Sequence, residues 1–180
     1  MQGQVYAGAA DERVRVLFPL AFCRECGQEY YLASLVPDGE STRLVPRSPL
    51  LNAIEDDEGE PGYFALEQDG LWSEEEDLPD NWLDPRSGNI RERYQPHRPQ
   101  QLFALPDGSL GTKGVAGALE GWWQPRPLLL CPRCRAAYDL RETSDFRKLV
   151  TLSQTGRSTA TTIIGAGAIL GLRSDDGRNS

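Results

Sequence analysis

Two short stretches decide the fold of this chain: Cys23-Arg24-Glu25-Cys26-Gly27 and Cys131-Pro132-Arg133-Cys134-Arg135. They contain all four cysteines, arranged as two CxxC pairs. Four thiolates in two such pairs match the tetrahedral coordination of a structural zinc ion, with each pair supplying two ligands from a tight turn. No coordination position would remain for a substrate. The predicted ligands of a structural Zn²⁺ are Cys23, Cys26, Cys131 and Cys134.

Three other uses of the cysteines remain open on this pattern. A CxxC pair can be a redox centre, two pairs can form disulfides in a secreted protein, and an iron–sulfur cluster also takes four cysteines. The first residues, 1–4, have neither the basic start nor the apolar run of a signal peptide, which disfavours disulfides. Free cysteines at metal spacing without an export signal predict a cytoplasmic protein.

The distance between the two pairs predicts a large insertion. A compact zinc ribbon separates its pairs by roughly 15–20 residues, and here the separation is several times greater. We therefore predict a mainly β (α+β) fold, a zinc-ribbon-like four-cysteine domain with a large β-rich insertion and a C-terminal helix. The predicted organisation is a flexible leader at 1–12, the four-cysteine domain at 13–150 with an acidic inserted lobe at about 37–120, a helix at 151–173 and a disordered tail at 174–180.

The residues around the first pair predict a hairpin. Arg13–Phe22 alternates and then becomes apolar, Tyr30–Val36 follows, and the CxxCG segment would be the turn, with Gly27 free to take a positive φ. The second pair has the same plan: an apolar approach, the CxxC segment, polar residues and then a tyrosine. Further strands are predicted at Thr42–Pro46, Gly62–Glu67, Gln101–Gly108 (with a turn) and Gly121–Leu130.

Charge is unevenly distributed along the 180 residues. The net charge of −8 argues against a surface that coats nucleic acid generally, and no Lys or Arg occurs between Glu55 and Asp84. No apolar run approaches the length of a membrane span. Basic residues concentrate near the second pair, where Arg133 and Arg135 are the candidate DNA-facing residues. The concentrated set is Arg126, Arg133, Arg135, Arg141, Arg147 and Lys148.

The middle of the chain carries structural signals rather than catalytic ones. Ser73 before three glutamates predicts a short helix, and Arg91–Gln100 is polar and proline-rich, which is typical of a linker. We expect the tryptophans to fill the core and His97 to be a solvated loop residue. No catalytic residue is predicted, because the chain has no GxxxxGK[ST] phosphate-binding loop and its carboxylates give no distinct acid/base pair.

The C-terminal part changes character after Asp145. Thr159–Leu172 is small and apolar without proline, which predicts a helix capped by Ser158 or Thr159. Free amides at a helix start, together with Arg157, Ser158 and Thr159, can also hold a phosphate of DNA or a nucleotide. Simple capping and phosphate binding both remain open for this segment.

Several segments together resemble one known family. Phe22–Tyr30, Cys131–Cys134, Ser144–Leu149 and Gly156–Thr162 occur in the same order in bacterial DEAD/DEAH-box superfamily 2 helicases that carry a DUF1998 region. The resemblance spans about 18–172 and is weak through the acidic middle.

The resemblance implies a zinc-binding insertion between two RecA-like motor domains of the same polypeptide. It implies DNA as a partner, no membrane, and a setting in phage defence or DNA repair. This chain has no Walker A motif, DEAH acid pair or arginine finger, so ATP and Mg²⁺ would act only in a longer parent protein. The alternative is an acidic protein-interaction adaptor that docks a partner protein.

Overall fold

A computed structural model describes residues 6–7, 15–48, 59–73 and 78–151. Within them lie ten strands and three 3₁₀ helices, which confirms the mainly β class. The predicted C-terminal helix lies outside the described residues, and Thr151, which we assigned to that helix, ends a strand. The strands are β1 Tyr6–Ala7, β2 Arg15–Val16, β3 Leu20–Cys23, β4 Glu29–Asp38, β5 Ser41–Pro46, β6 Glu60–Leu66, β7 Gln100–Ala104, β8 Leu110–Gly111, β9 Leu119–Pro125 and β10 Leu149–Thr151; the 3₁₀ helices are Asp80–Trp82, Glu92–His97 and Asp145–Arg147.

One antiparallel sheet of eight strands organises the domain. Its order is β10-β3-β4-β6-β9-β7-β8, and β5 also pairs with β4. The first part of β4 pairs with β3 and its second part with β5, while β6 runs along the opposite edge. The strands of the predicted insertion therefore belong to the same sheet as the cysteine-bearing strands. Two strands of the inserted segment expected at about 37–120, β6 and β9, pair into the middle of this sheet.

Alternation along β4 gives the sheet two apolar faces. Tyr30 and Leu32 are fully buried on one face, together with Cys23 and Cys131. Tyr31 and Ala33 point to the other face, because successive side chains of a strand alternate. The cysteines thus lie at the end of the first core, where β3 leaves the sheet and β4 enters it. The second face has a cavity of about 130 Å³ between its half-buried aromatic and aliphatic side chains.

A third apolar cluster forms where a linker was predicted. Residues 92–97 form a 3₁₀ helix whose Tyr94 is 3% exposed and stacks on Trp82, with ring centroids 5.0 Å apart. The linker prediction for 91–100 is therefore wrong, because one aromatic residue anchors the polar segment. His97, expected to be solvated, is half-buried in the same helix and its Nδ1 has no hydrogen-bond partner. Trp72, Trp82 and Trp123 are buried, as predicted for core residues.

Other sequence predictions are confirmed with shifted boundaries. The strands predicted at 42–46, 62–67 and 101–108 correspond to β5, β6 and β7. The strand predicted at 13–22 is interrupted between β2 and β3, and the one predicted at 121–130 ends at Pro125. The acidic residues 55–58 and the predicted helix start at 74–77 lie outside the described residues. Over the described ranges, no helix has the length and apolar character needed to cross a membrane.

A buried ion pair lies behind the second CxxC segment. Asp145 and Lys148 are 0% and 1% exposed, and the Lys148 ammonium lies 3.1 Å from Asp145 Oδ1. Lys148 also donates to the carbonyl of Leu128, while Asp145 accepts hydrogen bonds from the Leu128 amide and the Tyr63 hydroxyl. Arg126 pairs with the same carboxylate at 3.5 Å. Two residues of the basic set near the second CxxC pair, Arg126 and Lys148, therefore belong to the ion-pair network around buried Asp145.

Replacing Lys148 with methionine should strongly destabilise the domain. The substitution leaves the Asp145 charge buried without its ammonium partner, and breaking one side of such a pair costs about 3–5 kcal/mol. Chemical denaturation of the metal-loaded protein measures the free energy of unfolding. Arg147→Met, at an exposed neighbouring position, is the matched control and should change it by about 0.5 kcal/mol or less. Equal losses in the two variants would contradict the role assigned to the pair.

Candidate metal centre

The fold brings the four cysteine sulfurs together. All four Sγ atoms lie within 4.8 Å of one another, although they come from positions more than 100 residues apart. Cys23 and Cys134 are separated by 3.9 Å between sulfurs, and Cys26 and Cys131 by 3.7 Å. A tetrahedral ion with metal–sulfur bonds of about 2.3 Å places its sulfurs about 3.8 Å apart. The cysteines are free, and their arrangement can hold one metal ion.

The two CxxC turns share one backbone conformation. In the first turn the amide of Cys23 donates to the carbonyl of Gln28, and the amide of Gly27 donates back to the carbonyl of Cys23, both at 2.9 Å. The second turn repeats both bonds at 2.9 Å, from Cys131 to Ala136 and from Arg135 to Cys131. The similar plan predicted for the two segments is confirmed at the level of hydrogen bonding.

A positive φ closes each turn at the residue after the second cysteine. Gly27 has φ 77°, as predicted, and Arg135 has φ 63°. The left-handed region suits glycine but costs roughly 1–2 kcal/mol for a residue with a Cβ. Arg135 offsets this strain with its side chain, whose Nη1 donates to the carbonyl of Leu71 at 3.1 Å and whose guanidinium lies 5.7 Å from the Trp72 ring centroid.

Hydrogen bonds within the cluster favour a thiolate at Cys131. The pKa of Cys131 is lowered to about 4, chiefly by its interaction with the neighbouring Cys23 thiol and further by the backbone amide of Cys134. The pKa of Cys23 is raised, first by its interaction with Cys131 and then by burial. Burial raises the pKa of Cys134 to about 11. A metal ion must displace the remaining thiol protons, so metal binding is coupled to proton release.

Tyr30 is a part of the site that the sequence patterns did not assign. It follows the first CxxC segment, is fully buried against the cluster, and its ring lies 6.0 Å from that of Tyr63 in an edge-on arrangement. Burial raises the pKa of Tyr30, so its hydroxyl stays neutral, and that hydroxyl has no hydrogen-bond partner among the described residues. The sequence signal was the tyrosine that follows both CxxC segments, Tyr30 and Tyr138.

The residues predicted to contact nucleic acid have different surroundings in the structure. Arg133 is exposed beside the metal centre, where it lines a polar cavity of about 210 Å³ together with Cys26 and Gln68. The guanidinium of Arg135 contacts Leu71 and Trp72, so this side chain also has a structural role. Arg157, Ser158 and Thr159 lie outside the described residues.

Fold and site together define an antiparallel β domain with a cluster of four cysteines whose geometry can hold one metal ion. Residues 10–150 match the family model of the YjiV N-terminal domain, and the chain belongs to this family. The matched range contains all four cysteines and every strand of the eight-stranded sheet except the last residue of β10. No curated protein and no solved structure matches the chain.

Replacing Cys134 with serine should abolish stoichiometric metal binding. A serine hydroxyl is a poor substitute for a thiolate ligand, so metal content should fall from about one ion per chain to a small fraction of that. Elemental analysis after gel filtration measures the content. Arg133→Ala, in the same turn but not a ligand, is the control and should retain the metal. Full metal content in Cys134→Ser would contradict the four-cysteine site.

Alanine and glycine at position 135 should differ in stability by about 1 kcal/mol. Both substitutions remove the contacts to Leu71 and Trp72, but only alanine keeps the Cβ that strains the positive φ. Urea denaturation of the metal-loaded variants should show Arg135→Gly as the more stable of the two. Gly27→Ala tests the first turn, where a Cβ would meet no atom within 4 Å, so its loss is a backbone effect alone. Equal stability of the two position-135 variants would show that the backbone is unstrained.

Proposed function

We propose that this chain is a structural zinc-binding domain. The observation that carries the proposal is the set of sulfur–sulfur distances, 3.7 and 3.9 Å, at the ends of two matching CxxC turns. Four thiolates complete the usual shell of a structural zinc ion and leave no position open for a substrate. The ion would act as a cross-link between distant parts of the chain. Free cysteines at this spacing need a reducing compartment, and we place the protein in the cytoplasm on that ground.

We further propose that the domain is an accessory module of an ATP-dependent DNA helicase. Support comes from the resemblance to superfamily 2 helicases with a DUF1998 region, carried by both CxxC segments, 144–149 and 156–162. In that arrangement the domain lies between two RecA-like motor domains of one polypeptide and braces or guides DNA beside them. ATP and Mg²⁺ then bind the motor domains, in a pathway of phage defence or DNA repair.

Within this proposal, Arg133 is the better candidate for a DNA contact. It is exposed next to the metal centre, whereas the guanidinium of Arg135 contacts Leu71 and Trp72. An exposed arginine can reach a phosphate without disturbing the interior, and it forms charge-assisted hydrogen bonds to the phosphate oxygens.

An adaptor that docks a basic protein is the second candidate. The net charge of −8, with 27 acidic and 19 basic residues, favours a basic partner over a polyanion across most of the surface. Pull-down experiments that compare the isolated motor domains with labelled DNA would separate the two functions. Retention of the motor domains alone would favour the adaptor.

Arg133→Glu should weaken DNA binding. Removing one phosphate contact is expected to lower affinity several-fold at about 50 mM salt and to reduce the slope of log K against log salt by about 1. Fluorescence anisotropy with labelled oligonucleotides measures both quantities. Lys113→Glu has the same charge change at an exposed turn beyond β8, the sheet edge opposite β10, and is the control. Absence of binding by the unmodified chain at low salt would contradict the DNA-guiding role.

A further inference from the structure

An exposed aromatic side chain lies beside the metal centre. Phe146 is 47% exposed, and among the large hydrophobic residues that the described ranges leave exposed it is the aromatic one. Its neighbours in the chain, Asp145 and Lys148, are 0% and 1% exposed and belong to the buried ion pair. The backbone of Phe146 is therefore fixed from both sides, and its ring is held outward on a rigid support.

Arg24 of the first CxxC turn is held against this ring. Its Nε donates to the carbonyls of Phe146 and Leu149 at 3.1 and 3.2 Å, and its guanidinium lies 5.6 Å from the Phe146 ring centroid. The Arg24 amide also donates to the carbonyl of Lys148 at 3.0 Å. In the described part of the chain no carboxylate pairs with Arg24, so its terminal nitrogens are available to a ligand. Such a fixed arginine binds an anion with little loss of side-chain entropy.

The local charge balance indicates which ligand this pair fits. Exposed arginines at this end, such as Arg133 and Arg147, are accompanied by exposed carboxylates, such as Glu25 on the first CxxC turn and Glu142 before the last 3₁₀ helix. Contacts to phosphates alone would therefore be weak, which disfavours a DNA duplex as the ligand. An exposed ring adds stacking energy that is open to single strands but not to duplex DNA. Unpaired bases stack on aromatic side chains with about 1–3 kcal/mol each.

We propose that Arg24 and Phe146 form a contact site for single-stranded DNA. An unpaired base stacks on the face of Phe146 that Arg24 leaves open, and a neighbouring phosphate accepts hydrogen bonds from the terminal nitrogens of Arg24. This inference rests on the proposed DNA-guiding function and names a strand type and residues for it. The metal ion fixes the turn that carries Arg24, and the buried ion pair fixes Phe146, so the two halves of the contact are positioned before DNA arrives.

Substitution of the ring tests the proposal on the full 180-residue chain. Anisotropy with a labelled oligothymidylate of about 20 nucleotides should show the dissociation constant rising about ten-fold in Phe146→Leu, which keeps apolar bulk but loses the stacking face. Phe146→Trp should bind at least as tightly as the unmodified chain. Leu119→Ala, at a 53% exposed apolar position on β9, is the control and should bind normally. An unchanged dissociation constant in Phe146→Leu would overturn the contact site.

Competing ligands and a second readout separate this inference from the proposed function. A duplex of the same length, or an oligouridylate, that binds as tightly as the oligothymidylate would overturn the assignment to single-stranded DNA. Photocrosslinking with 5-iododeoxyuridine should label the peptide that contains Phe146, and labelling confined to other peptides would overturn the site. Binding that is weakened by Arg133→Glu but not by Phe146→Leu leaves the DNA-guiding function in place and removes only this inference. Absence of binding to every nucleic acid overturns both.

Discussion

The convergence of four sulfurs from two distant turns is the constraint on which the rest of the structure depends. Cys23 and Cys134 are 111 residues apart in the chain and 3.9 Å apart in space. By the chain-entropy account, closing a loop of about 100 residues contributes on the order of 4 kcal/mol when a permanent link holds it. A domain with only 39% hydrophobic residues gains much from such a link. The matching backbone hydrogen bonds inside the two turns set the positions of the cysteines.

Apolar packing and a buried ion pair both lie next to the cysteine cluster. The first apolar core carries Cys23 and Cys131 at its end, and Tyr30 closes the space beneath them. The buried pair of Asp145 and Lys148 fixes the segment that leads into β10, and the amide of Arg24 connects that segment to the first turn. The cysteine cluster, the buried ion pair and strand pairing therefore meet at one corner of the sheet. Rigidity at this corner is what allows exposed side chains there to be positioned without a ligand.

Local features of the fold follow from the sequence, and long-range ones do not. The strand segments of β4 and β6, the turn at Gly27 and the two CxxC pairs lie in short stretches of sequence, so local patterns predicted them. Strand order is not local, so the sequence predicted the inserted strands but not their position in the middle of the sheet. Lys148 and Arg126 carry charges that are typical of surface residues. Only the fold reveals that both pair with the buried carboxylate of Asp145. The positive φ of Arg135 has no sequence signature, since glycine is the residue expected there.

The pairing of β10 with β3 has a consequence for synthesis of the protein. β3 is the first strand of the large sheet along the chain, and β10, which forms the sheet edge beside it, is the last. The edge strand β10 and the second cysteine pair are therefore synthesised after the rest of the sheet. A nascent chain emerging from the ribosome carries Cys23 and Cys26 for more than 100 residues before their counterparts appear. During that interval the first turn is an incomplete chelate open to oxidation, and native assembly is necessarily a late event dominated by non-local contacts.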